Sequence, residues 1–213
     1  MKNSLILMSL IAALLTGCSS VKVVPEQTVN GHLNPVDNSQ TIKSNGVEVT
    51  ARVDETGINS YNLEGTVTAF QVLIRNSTDS EISFGNDSYV LVDESGLQYT
   101  LLTPENVREM LKKDSYYLIP YPYVGFYYLE DYEKVNAYNR ANSNLPFYYD
   151  LYPQDIYSKA LQPTTVIPGM KVEGLTYFKI DPAAHRHINL LIFRKGASKS
   201  SPPDFSFPFN IIK

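Results

Sequence analysis

Residues 205–211 read FSFPFNI, so Phe205, Phe207, Phe209 and Ile211 alternate with Ser206, Pro208 and Asn210. Side chains of a strand point alternately to its two faces, so this spacing suits a half-buried strand and not a helix. Pro208 falls on the opposite face and has no N–H to donate, which predicts a sheet edge or a bend there. The same period returns in Val47, Val49, Ala51 and Val53. Over residues 65–76, Ala69, Phe70, Val72, Leu73 and Ile74 put apolar groups on both faces, as a central strand requires. Short strands are expected at 81–84 and 88–92, followed by the turn Asp93-Glu94-Ser95-Gly96 and a strand at 97–101. A second strand-rich half opens with Val166-Ile167-Pro168-Gly169. It continues through 171–180, where Val172, Gly174, Thr176, Phe178 and Ile180 share one side, and through 187–194. Seven or eight short strands without helical crossovers predict a mainly β fold, an antiparallel sandwich.

The two halves are separated by residues 103–162, about 60 residues where connections seldom exceed about 15, so this insertion must carry structure of its own. Thr103 is placed to cap a helix that starts at Pro104, with Val107, Met110 and Leu111 on one face and Lys112 and Lys113 near its negative end. Further helices fit 129–141 and 153–161. The insertion also holds YYLIPYPYVGFYY at 116–128, and 12 of the chain's 16 tyrosines fall between Tyr116 and Tyr157. Tyrosine buries a large ring yet keeps a hydroxyl that seeks a partner, which suits half-wet surfaces and interfaces. Four placements fit: packing on the sandwich with the hydroxyls outward, a rigid recognition surface for a protein, stacking on sugar rings, and contact with lipid headgroups. The residues that would carry partner contact are Tyr116, Tyr117, Tyr121, Tyr123, Phe126, Tyr127, Tyr128 and Tyr132. A membrane span is excluded for this run by its length and by Pro120 and Pro122.

The chain opens MKNSLILMSLIAALLTGCSS, with Lys2 as a positive start, an apolar run over 5–15 and small residues before Cys18, the layout of an export signal. Leu15-Thr16-Gly17-Cys18 resembles the lipobox of bacterial lipoproteins, and Cys18 is the single cysteine. The resemblance implies cleavage before Cys18, a diacylglyceryl thioether on its sulfur and an acylated amino group, a palmitate-bearing membrane anchor. Ser19 after the cysteine implies the outer membrane in lipoproteins of this kind. Residues 19–45, SSVKVVPEQTVNGHLNPVDNSQTIKSN, are rich in Asn, Ser and Gln with little periodic apolar content, which predicts a flexible tether. Such a coil would reach roughly 30 Å and let the body stand off the bilayer. The chain therefore divides into a leader at 1–17, a lipidated N-terminus and tether at 18–45, and a folded body at 46–213 with its insertion at about 103–162.

Segments of that body, GTVTAFQVLIRNSTDSEISFGNDSYVLVDESGLQYTL and then IPGMKVEGLTYFKI with HINLLIFRKG, resemble the immunoglobulin-like domain of exported bacterial lipoproteins. The resemblance rests on a strand ending in Asn76, the aromatic-x-Leu-x-Asp unit Tyr89 to Asp93 with Gly96 in the turn, Pro168-Gly169, Gly174 and Phe178. It implies an immunoglobulin-like β-sandwich and no particular activity, because such sandwiches host unrelated functions.

Few side chains converge on a recognisable chemistry. His185 and His187 alternate onto one side without a third ligand in reach by spacing, so no metal is expected. The chain has no Gly-x-Ser-x-Gly, no phosphate-binding glycine loop and no cysteine left for catalysis. Without Lys2 the chain carries 17 basic and 22 acidic residues, which argues against nucleic acid as a partner. Glu130, Asp131, Glu133, Asp150 and Asp155 lie beside tyrosines in the insertion, where two carboxylates would serve a glycosidase or merely keep an aromatic segment soluble. Asn76-Ser77-Thr78 and Asn86-Asp87-Ser88 match glycosylation sequons and read as turns. The function expected is a non-catalytic envelope binding or assembly component without cofactors, touching an envelope protein or polysaccharide through its tyrosines. The alternative is a carbohydrate-associated binding protein or hydrolase.

Overall fold

The computed structural model describes residues 21–54, 67–114, 117–121, 125–129 and 154–213, with side chains at 21–54, 67–110 and 156–213. The leader, Cys18 and Ser19 lie outside these residues. The strands are β1 (Lys22–Pro25), β2 (Gly31–Asn34), β3 (Ser39–Ser44), β4 (Val47–Val53), β5 (Thr68–Asn76), β6 (Ile82–Phe84), β7 (Tyr89–Asp93) and β8 (Gln98–Leu102) in the first half. The insertion contributes α1 (Pro104–Asp114), β9 (Tyr117–Tyr121), β10 (Gly125–Leu129) and α2 (Gln154–Lys159), and the second half supplies β11 (Thr164–Val166), β12 (Lys171–Phe178), β13 (His187–Ile192) and β14 (Phe205–Ile212).

The fold is mainly β and antiparallel. Ten strands form one sheet in the order β1-β14-β13-β7-β8-β12-β5-β4-β3-β2. Its two five-stranded halves are continuous through a short ladder in which Leu101 and Leu102 of β8 pair with Phe178 and Tyr177 of β12. The sheet curls until β1 and β14 touch β4 and β3, giving a nearly closed, barrel-like shape. Phe70 of β5 meets Phe209 of β14 at 5.2 Å between ring centroids, which joins the halves across a common interior. Among the described residues and apart from Leu161, that core is drawn from residues before 102 and after 165, including Val49, Phe70, Val72, Ile74, Leu91, Phe178, Leu190, Phe205, Phe207 and Phe209. Full burial of each large side chain contributes about 1.5–3 kcal/mol.

The expected tether is corrected by the first three strands. Residues 22–44 pair into the sheet, with β1 on β14 and β3 on β4. Their buried positions are few and partly polar, namely Val23, Ser39, Gln40 and Ile42, so the composition gave no apolar rhythm to read. The turn from β3 to β4 is Asn45-Gly46, with φ of 49° and 75°, the left-handed pair that a two-residue hairpin needs.

The edge position expected for Pro208 is corrected with it. β14 lies inside the sheet, between β1 and β13. The Glu26 N–H donates to the Pro208 carbonyl at 2.8 Å, so the missing N–H of Pro208 faces the Glu26 carbonyl. Gln40 Nε2 donates to that carbonyl instead, at 2.8 Å. A buried side-chain amide thus supplies the bond that proline leaves unmade.

The residues of the resemblance pattern hold this architecture. Asn76 is fully buried: its Nδ2 donates to the Ser80 and Val166 carbonyls, and its Oδ1 accepts from the Thr78 N–H and hydroxyl. Ile167-Pro168-Gly169-Met170 is a tight turn, with Gly169 at φ 77° and the Met170 N–H donating to the Ile167 carbonyl. Asp93 ties the β7–β8 hairpin, accepting from the Ser95 hydroxyl and N–H, the Leu97 N–H and the Tyr99 hydroxyl. At Gly174 the chain returning from α2 runs against β12, and the Leu161 N–H donates to the Leu175 carbonyl.

A second, smaller core lies on the outer face of β5 and β12, where Val107 of α1 and Ile156 of α2 cover Val67, Ala69, Leu175 and Tyr177. The helix expected from Pro104 is present, and Thr103 Oγ1 accepts from the Asn106 N–H at 3.3 Å. The helix expected at 153–161 is present as α2. The one expected at 129–141 meets β10 at Leu129, and its remaining residues lie outside those described.

Two variants test these joints. Gly174→Ala places a methyl 2.6 Å from Leu161 Cα and 2.7 Å from Leu161 N, and is expected to lower unfolding stability by about 1–3 kcal/mol in denaturant titration. An unchanged midpoint would refute the contact. At Asp93, the Ser95 hydroxyl first, then the Leu97 N–H, the Tyr99 hydroxyl and the Ser95 N–H, hold the carboxyl at about 2, outweighing burial, which acts to raise it. An acid depressed on folding adds stability that is complete above its unfolded value and is lost as pH falls through its folded one. Asp93→Asn is therefore expected to melt earlier at neutral pH and to show a flatter fall in Tm between about pH 4 and pH 2, the interval between the ordinary and depressed values. An acid limb identical to the parent's would contradict this role.

Candidate functional site

The outer face of β4, β5 and β12 is covered at one end by the helices and open at the other. Its change of character follows the sequence. Ala69, Leu175 and Tyr177 are apolar and lie under the helices, whereas Thr50, Arg52, Gln71 and Glu173 are polar and line a groove of about 380 Å³. Leu73 forms part of its floor, and Asp37 and Ser39, from the connection and start of β3, close one side.

Strand register builds the site. Arg52 lies opposite Gln71, and Leu73 opposite both Thr50 and Glu173. Three side chains on three adjacent strands are linked in series: Arg52 Nε donates to Gln71 Oε1 at 2.6 Å, and Gln71 Nε2 donates to Glu173 Oε1. At the margin, the Thr41 and Thr50 hydroxyls bond at 2.7 Å, and Asp37 Oδ1 accepts from the Ser39 hydroxyl at 2.8 Å. The Gln71 amide cannot turn over without breaking both of its bonds, so it holds a cation and an anion in place, one strand spacing to either side. The row balances its own charge and offers N–H donors, a carboxylate acceptor and hydroxyls in a shallow trough. Such an array suits recognition of an uncharged polyhydroxyl or zwitterionic molecule better than proton transfer. A smaller cavity of about 90 Å³ lies in the seam between sheet and helices, beside Leu102, Pro104, Leu161 and Tyr177.

The residues singled out by sequence fall elsewhere. Tyr117 and Tyr121 are in β9, and Phe126, Tyr127 and Tyr128 are in β10. The two strands form a hairpin that sets Tyr127 opposite Ile119, Tyr128 opposite Leu118 and Phe126 opposite Pro120. The tyrosine run is therefore, in part, a β-ribbon, which its two prolines had obscured. Tyr116, Tyr123 and Tyr132 lie outside the described residues, as do Glu130, Asp131, Glu133 and Asp150. His185 Nδ1 lies 3.3 Å from Glu94 Oε2, while His187 is exposed, and among the described residues no three His, Cys, Asp or Glu side chains gather as a metal site. The sequon Asn76 is buried with both amide hydrogens bonded, which closes it to modification in the folded protein. Arg52, Gln71 and Glu173 went unread because an isolated polar residue on a strand looks like an ordinary solvated face. Only the register brings these three together.

Among the described residues no helix is long and apolar enough to cross a membrane. No family model matches the chain, and no curated protein matches it. Among solved structures, the yjhA protein from Bacillus subtilis is similar at 14% identity, over 71% of this chain and 76% of that one, with a TM-score of 0.36, a likeness too loose to argue from.

Proposed function

We propose that this chain is an outer-membrane lipoprotein, anchored by lipid on Cys18, whose immunoglobulin-like sandwich serves as a non-catalytic binding or assembly module. In this reading the tyrosine-rich insertion makes the partner contact, through Tyr116, Tyr117, Tyr121, Tyr123, Phe126, Tyr127, Tyr128 and Tyr132. The observation that carries it is a division of labour. Every residue of the resemblance pattern is used by the fold: Asn76, Pro168-Gly169 and Gly96 in turns, Asp93 in a hairpin, Gly174 in a close approach, and Tyr89, Leu91 and Phe178 in the core. Among the described residues the main core takes only Leu161 from the insertion, and the β9–β10 ribbon is a two-stranded sheet separate from the ten-stranded one. Two halves facing each other across one interior support the sandwich.

The carbohydrate-associated reading draws support from a different observation, the Arg52–Gln71–Glu173 row in its groove. Planar polar side chains fixed by one another lose little entropy on meeting a sugar's hydroxyls, a form of preorganisation.

Three variants separate these readings. Cys18→Ala is expected to move the protein from membranes to the soluble fraction, and continued membrane residence would overturn the anchor. Tyr121, Tyr123, Tyr127 and Tyr128, all changed to Ala, are expected to abolish cross-linking to envelope proteins with Tm unchanged. If that variant keeps its cross-links and melts earlier, the ribbon is packing and not recognition. Arg52→Ala with Glu173→Ala is expected to leave those cross-links intact. Loss of retention on envelope polysaccharide in this variant alone would favour the carbohydrate reading.

A further inference from the structure

We infer that the rim of the barrel where β1 begins lies directly against the phospholipid surface, which fixes the orientation of the whole body. This rests on the proposed lipid anchor at Cys18 and adds to it a defined contact face. The argument begins with chain length. The ladder starts at Lys22, paired with Ile212, so only Ser19, Ser20 and Val21 separate it from Cys18. Four fully extended steps span at most about 14 Å, which places the start of the sheet in or just above a headgroup layer about 5–8 Å thick. A body on a long coil would tumble freely above the membrane. A body joined by three residues has one end it must present.

That end has the surface such a contact requires. Val21 is 37% exposed, Ile212 54% and Leu97 57%, three of the large apolar side chains that the fold leaves in the open. Lys22 is exposed beside them, as is Arg186, whose carbonyl accepts from the Ile211 N–H at 2.9 Å. The carboxylates of the same rim are turned onto the protein itself. Asp93 takes the donors of its own hairpin, Glu94 accepts from the Arg186 N–H and faces His185, and Asp181 accepts from the Ala183 N–H. Cations and apolar tips therefore face outward, while Asp93 is buried and Glu94, though 39% exposed, is bonded to its neighbours, a distribution that favours an interface rich in anionic lipid.

The test uses the full lipidated protein in vesicles of phosphatidylethanolamine and phosphatidylglycerol containing a bromine-labelled lipid. With its one native cysteine lipidated, a thiol introduced by Leu97→Cys or by Ser200→Cys takes a single fluorophore. Ser200 is exposed on the connection between β13 and β14, at the opposite end of those strands from Ile212. The label at residue 97 is expected to be quenched about twofold or more, as contact within the outer 5–10 Å of the bilayer allows, and the label at residue 200 to be unaffected. Protein that floats with the vesicles but whose two labels are quenched alike would overturn the orientation alone. Protein that does not float would overturn the anchor and the orientation together.

Discussion

Four residues near the N-terminus, Lys22 to Pro25, close the sheet against β14, and much else follows from that ladder. Without β1, the Phe205–Ile212 strand would be an edge with a long row of open backbone groups and an apolar face, a template for aggregation. With it, the exposed edge becomes a four-residue strand carrying Lys22 and ending in Pro25, two features that blunt edges. Because the Glu26 N–H points toward Pro208, neighbouring Pro25 turns its missing donor outward, where no strand follows. Two prolines, one on each strand, are thus accommodated by one register. Gln40 completes it from β3, in the other half of the sheet, so the seal also joins the two ends of the curl.

Strands with strong period-two patterns were legible in the sequence. Those at β4, β5, β7, β8, β12, β13 and β14 fall within a few residues of where alternation places them, and the turn at Pro168-Gly169 and the cap at Thr103 have the expected form. What was not legible shares one cause: the segment has no apolar rhythm of its own and depends on partners from other strands. β1 and β3 bury one apolar residue apiece, Val23 and Ile42, and gain their stability from pairing, β1 with the distant β14 and β3 with β4. The Asn45-Gly46 turn did announce a strand before it, and that signal contradicts a tether reaching residue 45. The polar row of the groove was illegible for the same reason. Residues 52, 71 and 173 become neighbours only through the β4–β5 and β5–β12 registers.

The fold keeps architecture and recognition apart. Asn76, Asp93, Gly96, Pro168-Gly169 and Gly174 are used in turns, a hairpin tie and a close backbone approach. Surfaces with a chemical character lie elsewhere: a polar groove where the helical cover ends, a tyrosine ribbon inside the insertion, and a rim of cations and apolar tips beside the chain's entry. The ribbon is a two-stranded sheet separate from the ten-stranded one, and the groove lies on the outer face of that larger sheet.

The central claim is that the N-terminal segment is part of the sheet and not a leash. Amide hydrogen exchange tests it directly, because β1 is short and sits at an edge, where weak pairing would be exposed first. The account predicts that the Glu26 amide, bonded to the Pro208 carbonyl, and the neighbouring amide of Val24 exchange far more slowly than free peptide, with protection approaching that of Leu190 in β13. Exchange of Val24 and Glu26 at the rate of an unstructured chain would contradict it, and would return this segment to the role of a coil.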